Sequence, residues 1–218
     1  MAGDSPNLAE AREAIRRIVR DGNRASDVIS RMRAFFKKAP AAKEPVDINE
    51  VVQEVLILAQ TELQKNRISL RTQFASDLPI LRGDKIQLQQ VILNLVINGI
   101  EAMSGVAEDE RELCVSSQKV TETLGEADIE TIGSNALTDS ESAYALIAVR
   151  DSGPGLSAAE LQRVFETFYT TKSQGMGMGL AISRSIIEAH DGRLWVTANR
   201  PRGAVFQFAL PTQAAGTS

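Results

Sequence analysis

The 218-residue sequence lacks several features that mark whole classes of proteins. Its single cysteine, Cys114, excludes an internal disulfide framework and is typical of a reducing cytosol. The net charge of −4 at pH 7 gives no bulk positive field for nucleic acid or an anionic membrane. The longest apolar run, around residues 91–97, is far too short to span a bilayer, and the chain does not begin with a signal peptide. We therefore expect a cytoplasmic chain that contacts neither nucleic acid nor membrane, while a longer protein that contains it could still carry a membrane segment upstream.

The residues that are present suit an ordinary globular protein with one core and an appendage, since 43% are hydrophobic and 24% are charged. Apolar residues in 8–38 recur at alternating spacings of three and four, which predicts a long helix that packs nearly parallel to another helix. The alternative is a helix that lies on its own domain. We expect this helical unit over residues 1–40, the main domain over 45–212 and a frayed tail over 213–218.

The main domain is predicted to alternate helices and strands. Helices are expected over 47–65, 84–103, 157–165 and 179–189, and strands over 68–74, 112–120, 144–150, 194–198 and 204–210. Capping signals at Asp47, Asp84 and Ser157 begin the first three helices, and Gly192 suits the first position after the cap of the fourth. The acidic residues 121–142 predict a long, mobile hairpin connection. These elements indicate an α+β fold, a two-layer α/β sandwich in which one mixed sheet is covered by three helices on one face.

Two asparagines, Asn94 and Asn98, interrupt an apolar helical stretch, where an amide is unfavourable without a polar partner. Their spacing of four places both side chains on one helix face, where two carboxamides can hold a magnesium ion and its phosphates. Two glycine-rich segments follow, Asp151-Ser-Gly-Pro-Gly155 and Gly175-Met-Gly-Met-Gly179. An acidic protein must bind a polyanion locally, through a metal ion and backbone N–H groups. The three segments together therefore indicate a nucleotide site.

With Phe165-Glu-Thr-Phe168 and Thr170-Thr-Lys172 between them, these segments occur in the order of the N, G1, F and G2 boxes of bacterial sensor histidine kinases. Residues 45–212 thus resemble the catalytic ATP-binding domain of that family, the Bergerat or GHKL fold. The run from Phe168 to Trp195 resembles its nitrogen-regulation and oxygen-sensing branch. The resemblance implies ATP and Mg²⁺ as ligands, phosphoryl transfer to a histidine, and relay to the receiver domain of a response regulator. Residues 8–38 resemble the second helix of a dimerisation hairpin, which implies a homodimer of the intact kinase.

The resemblance also implies a role for individual residues of the boxes. Asn98 would coordinate Mg²⁺ with Asn94 beside it near the phosphates, and Asp151 would accept a hydrogen bond from the adenine amino group. Gly153 and Gly155 would let the backbone approach the base. Further contacts to ATP, in or beside a lid over residues 156–178, are implied for Thr171, Lys172, Gly175, Gly177, Gly179 and Leu180.

Other aromatic and charged residues of the boxes need a separate interpretation. Phe165 and Phe168 are interpreted as packing anchors of the lid. Glu101 stands where many relatives have a lysine or arginine that reaches the phosphates, although the nitrogen-regulation branch commonly has glutamate there.

The only histidine, His190, lacks the His-Glu motif of a phosphoacceptor and ends a predicted helix. We interpret it as a capping or core residue. The phosphoacceptor helix is then absent from this sequence, which contains no catalytic residue of its own and is not expected to phosphorylate itself.

Alternative functions remain within the same fold. Related ATPases typically have a glutamate four residues before the magnesium asparagine, as general base for water. Asn94 at that position favours transfer to a protein. The other interpretations are a different GHKL-type ATPase or protein kinase, and an adaptor that binds nucleotide or only dimerises. No Walker lysine motif occurs, and the second glycine segment is not preceded by a strand as a dinucleotide motif would be.

Overall fold

The computed structural model describes residues 43–121, 143–172 and 176–212. The chain divides after Pro40, so every described residue belongs to the unit Ala41–Ser218. The predicted N-terminal helix over 8–38, residues 122–142 of the acidic connection and the tail over 213–218 lie outside the described residues. The strands that the acidic connection joins do pair antiparallel, with Thr121 opposite Ala143.

The helices and strands of the described residues follow the predicted order. The α-helices, to which the word helix refers below, are α1 (Ile48–Lys65), α2 (Lys85–Ala102), α3 (Ala158–Arg163) and α4 (Gly179–Ala189). A single 3₁₀ turn also occurs among the described residues, at Glu108–Glu110. The strands are β1 (Glu44–Val46), β2 (Ser69–Phe74), β3 (Leu81–Gly83), β4 (Glu112–Thr121), β5 (Ala143–Asp151), β6 (Arg193–Ala198) and β7 (Ala204–Pro211). The sequence did not predict β1 and β3, because strands of three residues are too short to show alternation.

The main sheet has five strands in the order β2-β4-β5-β7-β6. Strands β2 and β4 pair parallel, and the other neighbours pair antiparallel, so the sheet is mixed as predicted. Strands β1 and β3 form a separate two-stranded antiparallel sheet. Each precedes a helix, so this small sheet brings the first turns of α1 and α2 near one another.

The core lies between the main sheet and a layer made of α1, α2 and α4, with α2 in contact with both of the other helices. Alternate residues of β5 are buried, namely Ala145, Ile147, Val149 and Asp151. Since alternate residues of a strand share one face, Asp151 is the last member of an otherwise apolar row. The predicted two-layer α/β sandwich is confirmed, and its core contains one carboxylate at the end of the central strand.

Side-chain caps define where three of the four described helices begin. The Asp47 carboxylate accepts N–H bonds in the first turn of α1, and Asp84 does the same for α2. Ser157 and Glu160 form a reciprocal capping box at α3. These caps satisfy N–H groups that would otherwise have no partner, as the sequence predicted.

The C-terminal end of α4 differs from the prediction that Gly192 takes the first position after the cap. The left-handed residue is Asp191, with φ of 59°, and the N–H of Gly192 then donates to the Ile187 carbonyl at 2.9 Å. Gly192 is needed for packing instead, because a Cβ there would lie 2.4 Å from the Ala209 carbonyl oxygen.

Candidate functional site

The polar residues singled out in the sequence converge where β5 ends, between the second half of α2, the start of α4 and the β6–β7 connection. Within this region, Asp151 lies beside Gly99 of α2, whose Cβ, if present, would lie 3.5 Å from the Asp151 Cβ. That distance is an ordinary van der Waals contact, whereas the same Cβ would lie only 2.7 Å from Leu113 Cδ1 of β4, so glycine at 99 relieves a close contact with that neighbouring strand. This contact joins the G1 segment to the asparagine helix.

Asp151 is a buried carboxylate whose two oxygens have different surroundings. Only 3% of the residue is exposed. Its Oδ1 accepts hydrogen bonds from the N–H groups of Gly153 at 2.8 Å and Ala204 at 3.3 Å, whereas its Oδ2 accepts none from the described residues. Burial raises the pKa of Asp151, and the two backbone hydrogen bonds and the Lys172 charge oppose that shift. One oxygen is thus fixed by the backbone, and the other has no hydrogen-bond donor among the described residues.

The first glycine segment packs tightly around this carboxylate. A Cβ on Gly153 would lie 2.8 Å from Asp151 Oδ1 and 3.1 Å from the Ala102 carbonyl oxygen. Gly155 has φ of 83°, in the left-handed region that favours glycine. Gly153 is therefore required by packing and Gly155 by its backbone conformation, and the approach of this backbone to a base stays a prediction.

Asn94 connects α2 to the start of α4. Its Nδ2 donates to Ser183 Oγ at 3.0 Å, and a Cβ on Gly179 would lie 2.5 Å from Asn94 Oδ1. The structure therefore brings together the asparagine helix and the last glycine of the second segment. Ser183 was missed in the sequence, although a small polar residue between apolar positions of a helix was a signal for it.

Asn98, one turn after Asn94 on α2, contacts a cationic group. The Lys172 Nζ donates to Asn98 Oδ1 at 2.9 Å and also pairs with the Glu101 carboxylate. The side chains of Lys172 and Glu101 are 38% and 52% exposed, so this ion pair is screened by solvent. Asn98 and Glu101 thus present two oxygens, one turn apart on the same helix, to one positive charge.

The remaining predicted residues, in the segment between α3 and α4 and at the start of α4, differ in how far they are buried. Gly177, with φ of 66°, packs against the backbone of Phe168, whose N–H donates to the Gly177 carbonyl at 2.8 Å. Thr171 is exposed, Leu180 packs against the core, and Gly175 lies outside the described residues.

The two phenylalanines of the F box have different surroundings. Phe165 packs against the core, which confirms it as an anchor. Phe168 is 72% exposed, so its interpretation as a packing anchor was wrong. Its φ of 69° turns the chain here, and the turn holds its side chain away from the core.

Helix α4 begins without a side-chain cap. Met178 takes the cap position and makes no side-chain hydrogen bond, in contrast to Asp47, Asp84 and Ser157 at the other three described helices. The first N–H groups of α4 therefore lack the side-chain partner that caps those helices. The start of a helix also carries partial positive charge, and together these features favour an anion.

His190 is 5% exposed, and both of its ring nitrogens are engaged. Nε2 accepts the Asp84 N–H at 2.9 Å, which requires the tautomer in which Nδ1 carries the proton and donates to the Ile186 carbonyl at 2.8 Å. The histidine therefore links the C-terminal end of α4 to the start of α2. Its interpretation as a capping and core residue is confirmed.

The described part of the chain contains neither a cluster of metal-ligating side chains nor a helix that could span a membrane. No group of three or more His, Cys, Asp or Glu side chains is placed to hold a metal ion there. Over the same residues, no helix is long and apolar enough to cross a membrane. Any metal at this site would depend on ligand oxygens as well as on Asn98 and Glu101.

Comparisons with known proteins agree with this geometry. Residues 83–214 match the sequence model of the histidine kinase-, DNA gyrase B- and HSP90-like ATPase family. The sensor histidine kinase TmoS of Ectopseudomonas mendocina is 36% identical over 97% of this chain and 20% of its own length. The sensor protein FixL of Bradyrhizobium diazoefficiens is 32% identical over 97% of this chain and 38% of its own length. The chain therefore spans well under half the length of these relatives.

Solved structures of histidine kinases share the fold. The catalytic domain of histidine kinase ThkA is 28% identical with a TM-score of 0.61, over 79% of this chain and 97% of that one. ThkA in complex with response regulator protein TrrA gives a TM-score of 0.69 at 23% identity, over 97% of this chain and 53% of that one. At that lower identity the second match shows the fold alone.

Proposed function

We propose that this chain, which belongs to the family of histidine kinase-, DNA gyrase B- and HSP90-like ATPases, binds Mg-ATP as the catalytic part of a sensor histidine kinase. Its activity would be transfer of the γ-phosphate to a histidine, followed by relay to an aspartate of a response regulator. The relatives TmoS and FixL are named as sensor proteins, which supports this assignment.

The observation that carries the proposal is the buried Asp151 with one oxygen free of hydrogen bonds from the described residues. A carboxylate that is buried without a structural partner on one oxygen is unfavourable unless a ligand uses it. The adenine amino group is a hydrogen-bond donor, and guanine has an acceptor oxygen at the corresponding position. A fixed carboxylate oxygen therefore favours adenine over guanine.

The donor set at the other end of the site fits a hard cation. Asn98 Oδ1 and the Glu101 carboxylate already hold the ammonium group of Lys172. Amide and carboxylate oxygens are also the protein ligands that Mg²⁺ prefers, with phosphate oxygens and water completing the shell. Asn98, with Glu101 beside it, would hold the ion, which when bound neutralises charge on the phosphates.

The remaining residues would position the triphosphate. The uncapped start of α4 offers N–H groups to phosphate oxygens, and Asn94 lies directly against Gly179 of that turn. Lys172, already beside Asn98, supplies a positive charge at the same end. In phosphoryl transfer this positioning and charge stabilisation are the main contributions of the protein, since little covalent chemistry falls to it.

The acceptor of the phosphoryl group would lie outside this sequence. Its only histidine, His190, has both ring nitrogens engaged in backbone hydrogen bonds, so neither is available to attack phosphorus. The nucleophile would be a histidine on a phosphoacceptor helix that this sequence does not contain. The segment 8–38 is proposed as part of the dimerisation bundle that presents it.

The proposal is tested by mixing the purified chain with γ-labelled ATP, Mg²⁺ and a separate fragment of a related sensor kinase that carries the phosphoacceptor helix. We expect acid-labile label on the fragment and none on the chain. The Asp151→Asn variant serves as the matched inactive control. Label on the chain itself, or an undiminished transfer by the variant, would contradict the proposal. A chain that binds no ATP at all would favour the adaptor interpretation.

A further inference from the structure

The connection between β6 and β7, residues 199–203, contacts the backbone of Asp151. The side-chain Nδ2 of Asn199 donates to the Asp151 carbonyl oxygen at 2.9 Å. The N–H of Asn199 donates to the Gly203 carbonyl at 2.9 Å, which closes the connection on itself. Asn199 therefore fastens this connection to the end of β5, although 48 residues separate it from Asp151 in the sequence.

This connection replaces strand pairing at the point where pairing stops. The register between β5 and β7 ends with Arg150 opposite Val205, one residue before Asp151. Beyond that pair, the Asp151 carbonyl is bound by Asn199, and the Asp151 carboxylate is bound by the N–H of Ala204 at 3.3 Å. The connection thus holds the main chain of Asp151, and the first residue of β7, directly after it, holds the side chain.

Gly203 makes this arrangement possible. Its φ is 104°, a conformation that L side chains rarely adopt, and a Cβ there would lie 1.9 Å from the Asp151 carbonyl oxygen. That distance is far inside van der Waals contact, and the obstacle is backbone, which has no rotamer to move away. Any side chain at 203 would therefore push the connection away from Asp151.

We propose that Asn199 and Gly203 are positioning residues for nucleotide specificity, which hold the Asp151 carboxylate so that it accepts from adenine and rejects guanine. This inference rests on the proposed binding of Mg-ATP. The rejection of guanine requires a fixed acceptor, because a carboxylate free to turn away would relieve its repulsion with the guanine oxygen. Loosening the Asp151 main chain should thus weaken ATP binding and reduce discrimination against GTP.

The test is calorimetric titration of Mg-ATP and Mg-GTP into the wild type, Asn199→Ala and Asn199→Asp. Aspartate keeps the shape of asparagine but removes the N–H donor, so we expect it to act at least as strongly as alanine. In both variants the ratio of ATP to GTP affinity should fall about tenfold, the size of one lost hydrogen bond that positions a charged group. Unfolding midpoints without nucleotide are measured alongside, to separate this effect from a general loss of stability.

Asn66→Ala is the matched control. The Asn66 Nδ2 also donates to a backbone carbonyl, that of Glu62 at 2.8 Å, but at the C-terminal end of α1. This variant should lose a similar hydrogen bond and leave the ATP to GTP ratio unchanged. Gly203→Ala should also move the connection away from Asp151, and it should lower the ratio of ATP to GTP affinity at least as much as the Asn199 variants do.

The outcomes separate the two proposals. If the wild type does not bind Mg-ATP, the proposed function fails and the inference fails with it. If the wild type binds Mg-ATP and prefers it to Mg-GTP, but both Asn199 variants keep the full ratio, only the positioning role is overturned. A fall in the ratio that Asn66→Ala reproduces would also overturn it, because the effect would then follow from stability.

Discussion

The two ends of the candidate site are built in opposite ways. At the end proposed to bind adenine, called the adenine end, Asp151 is 3% exposed and is held by backbone N–H groups and by a connection that packs closely through Gly203. At the end proposed to bind phosphate, called the phosphate end, Lys172 contacts both Asn98 and Glu101 through side chains, and the charged pair is 38% and 52% exposed. One end is rigid and shielded from solvent, and the other is solvated and adjustable.

The difference matches the two tasks that the proposed function requires. Discrimination between bases depends on an acceptor whose position cannot change, which only backbone and buried contacts provide. Binding of a triphosphate and a metal ion requires charges that can exchange partners, which exposed side chains allow because their ion pairs contribute little individually. Changes at the adenine end should therefore have larger effects and alter specificity, whereas changes at the phosphate end should depend on metal and salt.

The largest expected effect is that of Asp151→Asn. The amide oxygen can retain the bonds from Gly153 and Ala204, but the amide nitrogen replaces the oxygen that we propose accepts from adenine. A hydrogen bond to a charged group is worth about 1.5–3 kcal/mol, so Mg-ATP affinity should fall roughly 10- to 100-fold. Calorimetry measures the affinity, and thermal unfolding without nucleotide should show no loss of stability. A loss of stability together with the loss of affinity would indicate that Asp151 is structural.

Next in size is Asn98→Ala, which removes the amide oxygen proposed for the metal ion. We expect Mg-ATP affinity to fall about tenfold, the scale of one charge-assisted contact, whereas affinity for ATP measured in EDTA should change little. Asn49→Ala is a suitable comparison, since that amide binds the Ala75 carbonyl away from the site. An equal loss with and without Mg²⁺ would argue against a metal role.

A smaller effect is expected for Lys172→Met, which keeps the length of the side chain without its charge. Affinity for Mg-ATP should fall about threefold at low salt, in line with a screened charge, and the difference should shrink as salt is raised. The ATP to GTP ratio should not change. If the ratio changed as much as in Asp151→Asn, the two ends of the site would not be separable.

The smallest effect concerns pH. Burial raises the pKa of Asp151, so above that pKa the folded protein carries the cost of a buried charge, and the cost is relieved as pH falls through it. The stability of the unliganded wild type should therefore approach that of Asp151→Asn on mild acidification, while ATP affinity decreases over the same interval. Denaturant unfolding at several pH values measures the first trend, and a constant difference between the two proteins would contradict it.

The sequence predicted the elements well where the signal is local. The caps at Asp47 and Asp84 depend on neighbouring residues alone, and α4 is predicted to the residue because its apolar period and flanking glycines agree. The first position after the cap of α4 was predicted at Gly192, because a glycine is the usual signal there, yet Asp191 takes the left-handed conformation. Gly192 instead lies close to the Ala209 carbonyl of β7, a contact between distant residues that no local pattern reports.

The sequence identified individual residues of the candidate site, but it did not predict which residues they contact. The motifs identified Asn94, Asn98 and Asp151, whereas Ser183 and Asn199 became visible only when distant elements were brought together. Lys172 was predicted near the phosphates, and its contacts with Asn98 and Glu101 could not be read from the spacing. Partners separated by tens of residues depend on how α2, α4 and β7 pack around the end of β5.

The central claim is that a buried, backbone-fixed carboxylate selects adenine while a separate ionic cluster holds the phosphates. Titration of Mg-ATP and Mg-GTP into the wild type, Asp151→Asn and Lys172→Met tests it most directly. We predict a preference for ATP in the wild type, its loss in Asp151→Asn, and an unchanged preference with weaker overall binding in Lys172→Met. Equal affinity of the wild type for ATP and GTP, or an unchanged preference in Asp151→Asn, would contradict the claim.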